Sequence, residues 1–144
     1  MAGEGMKVYL IGSLRNPEIP KLADYLRDKM ETGTEVFDDW YAAGPEADDK
    51  WMEYEKNRGH SFVQALDGHA ATHVYEFDKT HLDSCDVAVM VMPAGKSAHL
   101  ELGYCAGKGK RTIILMNGEP ERFDVMYKFA DHVVTSWQSL RHVL

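Results

Sequence analysis

Five short apolar runs recur along the chain, with polar or helix-forming segments between them. These runs are Lys7 to Ile11, Glu35 to Phe37, Val87 to Met92, Arg111 to Met116, and Val133-Val134. Runs of this length, rich in β-branched residues, predict buried strands. The run VAVMVM has six apolar residues without alternation, which is typical of a strand covered on both faces in a parallel sheet.

Apolar residues at helical spacing fill the intervals between the strands. The first predicted helix carries Ile19, Leu22, Ala23, Leu26 and Met30 and ends at Gly33. Further helices are predicted from Asp49 to about His73 with an interruption at Gly59, from Val74 to Ser84, from Ser97 to Gly109, and from Ser136 onward. The acidic segment DDWYAAGPEADD lacks periodicity and predicts a loop that exposes Trp40 and Tyr41.

The alternation of strands and helices predicts a doubly wound α/β sheet of the Rossmann or flavodoxin-like kind, with about five parallel strands and flanking helices. At 144 residues, positions 1–144 fit a single domain. Ligands of such sheets bind beyond the carboxyl ends of the strands. This edge brings together residues 12–15, 37–41 and 93–101.

Composition narrows the classes of partner. Apolar residues make up 44 % of the chain and charged residues 27 %, as in soluble globular proteins. The net charge of -7 repels a phosphate backbone, so we expect no nucleic-acid partner. No apolar run approaches the ~20 residues that cross a bilayer, and residues 1–6 lack the features of a signal peptide. We therefore expect no membrane partner and a cytoplasmic location.

Two acids are candidates for catalysis. If Ser97 caps the helix that follows the VAVMVM strand, Glu101 falls in its first turn, where the helix dipole holds a carboxylate ionised. An ionised, positioned carboxylate is a nucleophile for a sugar anomeric carbon, and a second carboxyl group at Asp78 would protonate the leaving group. The alternatives are a helix-stabilising acid at Glu101 and a solvated helix acid at Asp78.

Other polar and aromatic residues allow two interpretations each. Arg15 follows the first strand and is either a ligand for an anion or one partner of a surface salt bridge. The aromatic residues either cover the edge of the core or stack on a planar base; they are Trp40, Tyr41, Trp51 and Tyr54.

Metal and disulfide chemistry are not expected. His69 and His73 stand four residues apart and His81 is near Asp78, but no third metal ligand follows at a recognisable spacing. Cys85 and Cys105 have no CxxC spacing and predict neither a disulfide nor a zinc site. We expect no metal and no cofactor.

Three separated motifs together resemble the nucleoside 2-deoxyribosyltransferase family. They are Tyr9-Leu10-Ile11-Gly12-Ser13-Leu14-Arg15, Asp78 eight residues before Asp86-Val87-Ala88-Val89, and Ser97-Ala98-His99-Leu100-Glu101-Leu102-Gly103-Tyr104. The resemblance runs from about Tyr9 to Tyr127. The family includes transferases, which exchange bases between deoxyribonucleosides, and 2'-deoxynucleoside 5'-monophosphate N-hydrolases, which release the base to water.

The resemblance implies a role for each matching residue. Glu101 would be the nucleophile that forms a deoxyribosyl-enzyme ester, Asp78 the proton donor to the base, and Tyr9 the residue that orients Glu101. The substrate, a nucleoside or nucleotide, would contact Gly12, Ser13, Arg15, Trp40, Gly95, Ser97 and Asp124. Family members are commonly homo-oligomers in which a neighbouring chain completes the pocket, so we expect a dimer or a higher oligomer, with Asp124 in the matching region.

Two departures from the family pattern point to different substrates. Residues 93–96 lack the acid with which transferases hold the base, which puts base exchange in doubt. Asp124 would repel a 5'-phosphate if it reaches the pocket, which favours a 5'-hydroxyl. The first hypothesis is therefore cleavage or transfer of the N-glycosidic bond of 2'-deoxyribonucleosides through Glu101. The alternatives are the monophosphate N-hydrolase and a noncatalytic nucleotide-sensing module.

Overall fold

All five predicted strands form in the computed structural model, which describes residues 5–144. They are β1 (Lys7–Ile11), β2 (Glu35–Phe37), β3 (Val87–Val91), β4 (Arg111–Leu115) and β5 (His132–Val134). Every neighbouring pair is parallel, and the strand order is β2-β1-β3-β4-β5. The predicted doubly wound α/β fold is confirmed. Residues 1–4, which include most of the segment considered as a signal peptide, lie outside the described residues.

Six helices connect or flank the strands. They are α1 (Glu18–Lys29), α2 (Ala47–Asn57), α3 (Phe62–Leu66), α4 (His69–Ser84), α5 (Lys96–Gly107) and α6 (Trp137–Val143), with short 3-10 helices at Asp39–Ala43 and Val125–Phe129. Buried residues of α1 and α6 pack on one face of the sheet, and those of α4 and α5 pack on the other. β3 is buried along its whole length, as its unbroken apolar run predicts.

The alternation of side chains along β1 decides which residues face α4 and α5. Val8 and Leu10 belong to the core under α1 and α6, whereas Tyr9 and Ile11 belong to the core under α4 and α5. Tyr9 therefore faces the two helices that carry Asp78 and Glu101.

The acidic segment after β2 is more ordered than its sequence predicts. A 3-10 helix covers Asp39–Ala43, and α2 already begins at Ala47. Trp40 and Tyr41 are half-buried rather than exposed, and the Trp40 indole Nε1 donates to the carbonyl oxygen of Leu10 at 2.7 Å. The prediction of an exposed loop is wrong because both aromatic rings pack on the edge of the core.

The helix boundaries between β2 and β3 also differ from the prediction. The chain breaks at Gly59, as expected, and again between α3 and α4, but α4 continues without interruption past His73. Ser61 begins α3 with a capping box, in which its hydroxyl accepts from the amide of Gln64 and the Gln64 side chain accepts from the amide of Ser61.

The start of α5 changes the argument about Glu101. Gly95, not Ser97, stands at the N-cap, so Ser97 is the second residue of the helix and Glu101 the sixth. Glu101 thus lies in the second turn, beyond the reach of most of the helix-dipole effect. Within residues 5–144, no helix is long and apolar enough to cross a membrane.

Candidate active site

The fold brings Tyr9, Asp78 and Glu101 together. α4 and α5 pack against each other and against β1, so one residue comes from each element. Tyr9 is only 1 % exposed, and its hydroxyl is buried without a hydrogen-bond partner among the described residues. Asp78 and Glu101 are half-buried. A buried donor thus lies beside two carboxyl groups.

Burial and mutual repulsion perturb all three groups. Burial, followed by the negative charge of Asp78, raises the pKa of Glu101 to about 7. Burial also raises the pKa of Asp78, and the charge of His81 partly offsets this. Burial and the charges of Glu101 and Asp78 raise the pKa of the Tyr9 phenol well above its usual range.

The expectation that the helix dipole keeps Glu101 ionised is therefore wrong. At a pKa of about 7 the carboxyl group is half protonated at neutral pH. Burial outweighs the dipole because Glu101 is in the second turn, not the first. The negative charge of Asp78 disfavours ionisation of Glu101, so the titrations of the two acids are coupled.

An aromatic wall adjoins this pair. Phe37 at the end of β2 contacts the ring of Tyr9, with 4.9 Å between centroids, and stacks on the imidazole of His81 at 3.9 Å. Phe77 contacts both Phe37 and His81. Nδ1 of His81 is buried and has no partner among the described residues. Sequence reasoning placed Phe37 at this edge of the sheet without a role, missed Phe77, and considered His81 only as a metal ligand, although both α4 residues lie within one turn of Asp78.

A cavity of about 230 Å³ opens between the turn after β1 and the loop after β3. We name it the first-turn cavity; it is lined by Ser13, Arg15, Asn16, Pro93, Ala94 and Gly95. Gly12 is needed in this turn because a Cβ there would lie 2.7 Å from Cδ1 of Ile19. The predicted approach of residues 12–15 to residues 93–95 is confirmed.

Arg15 and Asn16 present different donors in the first-turn cavity. The Arg15 guanidinium pairs with Asp49 at 3.2 Å, and the two side chains are 68 % and 63 % exposed. In this structure Arg15 is therefore one partner of a surface salt bridge. Such an exposed pair contributes little to stability. Asn16 is 6 % exposed, and its Nδ2 is buried without a partner among the described residues. Sequence reasoning missed Asn16, whose position before α1 is typical of a helix cap.

Three other candidate ligand residues do not line the first-turn cavity. Trp40 holds the carbonyl of Leu10, which favours the core-covering interpretation. Ser97 is exposed in the first turn of α5. Asp124 accepts from the amide of Met126 at 2.9 Å and lines a separate apolar groove of about 450 Å³ between α5 and the 3-10 helix Val125–Phe129. Within one chain, Asp124 does not line the first-turn cavity.

Metal ligands are not clustered in the described part of the chain. No group of three or more His, Cys, Asp or Glu side chains in residues 5–144 is arranged to hold a metal ion. Cys85 and Cys105 are free and buried.

Similar proteins are found by comparison of structures and not by comparison of sequences. No protein-family model and no curated protein matches the chain. A 2-deoxyribosyltransferase from Bacillus psychrosaccharolyticus has a TM-score of 0.58 at 19 % identity, over 94 % of this chain and 90 % of that one. A CMP N-glycosidase from Clostridium botulinum has a TM-score of 0.53 at 13 % identity, over 95 % and 96 %. A conserved protein from Enterococcus faecalis has a TM-score of 0.61 at 12 % identity, over 96 % of both chains.

These similarities establish the fold over nearly the whole length of the chain. They include a 2-deoxyribosyltransferase, so the family that the three sequence motifs resemble is confirmed as a structural neighbour. The chemistry of this chain must be argued from its own residues.

Proposed function

We propose that this protein cleaves the N-glycosidic bond of a 2'-deoxyribonucleotide, with Glu101 as nucleophile and Asp78 as proton donor. The observation that carries the proposal is the half-buried pair of carboxyl groups, both with raised pKa values, beside the Tyr9 hydroxyl, which has no partner among the described residues. Similar structures named as a 2-deoxyribosyltransferase and a CMP N-glycosidase support it, as do the three motifs.

The reaction requires one carboxylate and one carboxylic acid. The Glu101 carboxylate attacks C1' of the sugar, the bond from C1' to the base nitrogen breaks, and Asp78 transfers its proton to the departing base. Water then attacks C1' of the ester, Asp78 takes a proton from that water, and Glu101 leaves as a carboxylate. Base and sugar are released, and both acids return to their starting state.

Tyr9 provides a means to keep Glu101 ionised while Asp78 is protonated. Burial alone favours the protonated form of Glu101. A hydrogen bond from the free Tyr9 hydroxyl would stabilise the Glu101 carboxylate. Tyr9 thus has the orienting role that the family resemblance implies.

The 5' end of the substrate belongs, in this proposal, to the first-turn cavity. Arg15 would exchange its weak exposed partner Asp49 for a phosphate. Gly95 adds the amino end of α5, which has no side-chain cap. Within its own chain Asp124 lines a different groove, so repulsion of a 5'-phosphate would require Asp124 of a neighbouring chain.

Hydrolysis is favoured over transfer. The loop Pro93 to Gly95 has no carboxylate that would hold an incoming base. We therefore favour the monophosphate N-hydrolase, with release of the base to water.

The test is incubation with a panel of 2'-deoxynucleosides and their 5'-monophosphates, with and without a second base, followed by chromatography. We expect free base alone and kcat/KM at least about tenfold higher for the monophosphate, since a charge-assisted hydrogen bond contributes about 1.5–3 kcal/mol. Arg15→Gln should remove most of that preference. Arg141→Gln, at an exposed position of α6, should not.

The other outcomes each contradict part of the proposal. A new nucleoside would indicate transfer, and a preference for the deoxynucleoside would contradict the 5' assignment. Saturable binding without turnover would indicate a sensing module.

A further inference from the structure

His99 connects the wall of the first-turn cavity with the groove between α5 and the 3-10 helix Val125–Phe129. It lies on α5, two residues before Glu101, and its imidazole is exposed. Its Nδ1 is 2.6 Å from the carbonyl oxygen of Gly95, and its Nε2 is 2.9 Å from the hydroxyl of Tyr127. Gly95 is part of the wall of the first-turn cavity, and Tyr127 belongs to the 3-10 helix Val125–Phe129.

The two contacts determine the tautomer of the imidazole. A carbonyl oxygen only accepts, so Nδ1 of His99 must carry the hydrogen and donate to Gly95. In the neutral imidazole Nε2 is then an acceptor, and the Tyr127 hydroxyl donates to it. The hydroxyl has one proton, so its contact with Sδ of Met92 at 4.0 Å is not a second donated hydrogen bond.

Gly95 is exposed, and its carbonyl oxygen accepts two hydrogen bonds, both from His99. It has no side chain, and a Cβ built on it would meet no atom within 4 Å. Its carbonyl oxygen accepts from the backbone amide of His99 at 3.3 Å, which is a long hydrogen bond. The imidazole contact at 2.6 Å is the shorter of the two and the one that a side-chain substitution removes.

We propose that His99 is a positioning residue, which fixes the Gly95 wall of the first-turn cavity for the 5' group of the substrate and is itself held by Tyr127. The inference rests on the proposed function for its kinetic consequence. The hydrogen bonds of His99 go to Gly95 and Tyr127, not to Glu101 or Asp78. Its substitution should therefore change substrate binding more than the chemical step.

Kinetics with a deoxynucleoside 5'-monophosphate separate the two effects. His99→Gln should raise KM about five- to tenfold, the order of one lost hydrogen bond, and leave kcat within about twofold. Tyr127→Phe should raise KM less, and the double variant should be no worse than His99→Gln, because both changes break one connection. His142→Gln, at an exposed histidine of α6, is the matched control. A fall in kcat at unchanged KM, or additive effects of the two substitutions, would overturn the proposal.

A second measurement is independent of turnover. Nitrogen-15 NMR of the histidine side chains, at a pH where the imidazole is neutral, should show hydrogen on Nδ1 of His99 in the wild type and in Tyr127→Phe. Hydrogen on Nε2 would overturn the proposal, since the contact with Gly95 would then not be a hydrogen bond. If no nucleotide is cleaved, the proposed function fails, and calorimetric Kd values for the monophosphate replace KM in the same comparison of variants.

Discussion

Two glutamates in this molecule are shielded from solvent, but their pKa values are shifted in opposite directions. Glu55 on α2 is 4 % exposed, and it accepts hydrogen bonds from Nδ1 of His60 at 2.8 Å and from Nε1 of Trp51 at 3.2 Å. The hydrogen bond from His60 is the main cause that lowers the pKa of Glu55. No side chain among residues 5–144 donates a hydrogen bond to Glu101, and burial raises its pKa to about 7.

The difference shows how a fold separates structural from reactive carboxyl groups. At Glu55 the carboxylate is satisfied by Trp51, one turn earlier on α2, and by His60, just after this helix, so its charge is compensated locally. At Glu101 the cost of burying the charge is not compensated in the free protein, and the unpartnered hydroxyl of Tyr9 lies nearby. Perturbed, uncompensated acids of this kind are typical of functional sites.

The largest expected effect is the loss of activity when the charge of Glu101 is removed. Glu101→Gln should lower kcat/KM at least ~100-fold, because the reaction is no longer divided into two easier steps. Glu55→Gln, the matched change at the paired site, should keep most of the activity. Intact-protein mass spectrometry of the wild type with a slow 2'-fluoro substrate should show a sugar adduct. Near-normal turnover by Glu101→Gln would remove Glu101 from the role of nucleophile.

Asp78→Asn is expected to have the next largest effect, and it depends on the leaving group. For natural bases the rate should fall about 100-fold or more, since the departing base no longer receives a proton, whereas a nitrophenyl-type leaving group should lose much less. Glu76→Gln, on the exposed side of α4, is the control. Equal losses for both leaving groups would contradict the assignment of Asp78 as the acid.

The same Asp78→Asn variant should shift the pH profile. With the nitrophenyl-type substrate, wild-type kcat/KM should rise as Glu101 ionises, with a midpoint near pH 7. The charge of Asp78 raises the pKa of Glu101, so its removal should move this midpoint to lower pH. The midpoint should stay above 4.5, the ordinary value for Glu, because burial remains. An unchanged midpoint would mean that the two acids are not coupled.

Stability should respond to the two glutamates with opposite signs. The raised pKa of Glu101 costs stability progressively as pH rises from 4.5 to about 7. Glu101→Gln should therefore raise the free energy of unfolding by about 3 kcal/mol at pH 8 and leave it unchanged at pH 4. The lowered pKa of Glu55 contributes stability above an unfolded-state pKa of about 4.3. That contribution is lost as pH falls through the folded-state value, so Glu55→Gln should destabilise the protein at neutral pH.

Urea unfolding of both variants at pH 4, 6 and 8 measures this pair of effects. Two variants that shift the unfolding midpoint in the same direction at pH 8 would contradict the comparison.

The sequence predicts the sheet, and that Asp78 and Glu101 lie close together, better than it predicts the protonation state of these two carboxyl groups. Buried parallel strands such as β3 have an unbroken apolar pattern, so their positions can be predicted within a residue. The start of α5 cannot be predicted as well, because Ser97 is a common capping residue and Gly95 is not more distinctive. The error of two residues placed Glu101 in the first turn, and the burial that raises its pKa was not predicted.

The missed residues depend on contacts that are distant in sequence. Phe37 becomes part of the site because His81, from a helix 44 residues later, stacks on it. Asn16 resembles a cap in the sequence and does cap α1 through Oδ1, which accepts from the amide of Glu18 at 3.0 Å. Asn16 lines the first-turn cavity only because the loop Pro93 to Gly95 packs opposite it.

The smallest expected effect tests whether Glu55 needs both donors. Trp51→Phe keeps an aromatic ring near Phe62 but removes the Nε1 donor, while the stronger contact with His60 remains. The variant should lose less stability at pH 7 than Glu55→Gln does. The hydrogen-bond part of the loss should disappear as pH falls and Glu55 becomes protonated, because Trp51 also lowers the pKa of that carboxyl group. Urea midpoints at pH 4 and pH 7 separate this part from packing. A loss that is the same at both values would show that only the ring of Trp51 matters, and that His60 alone is sufficient for the carboxylate of Glu55.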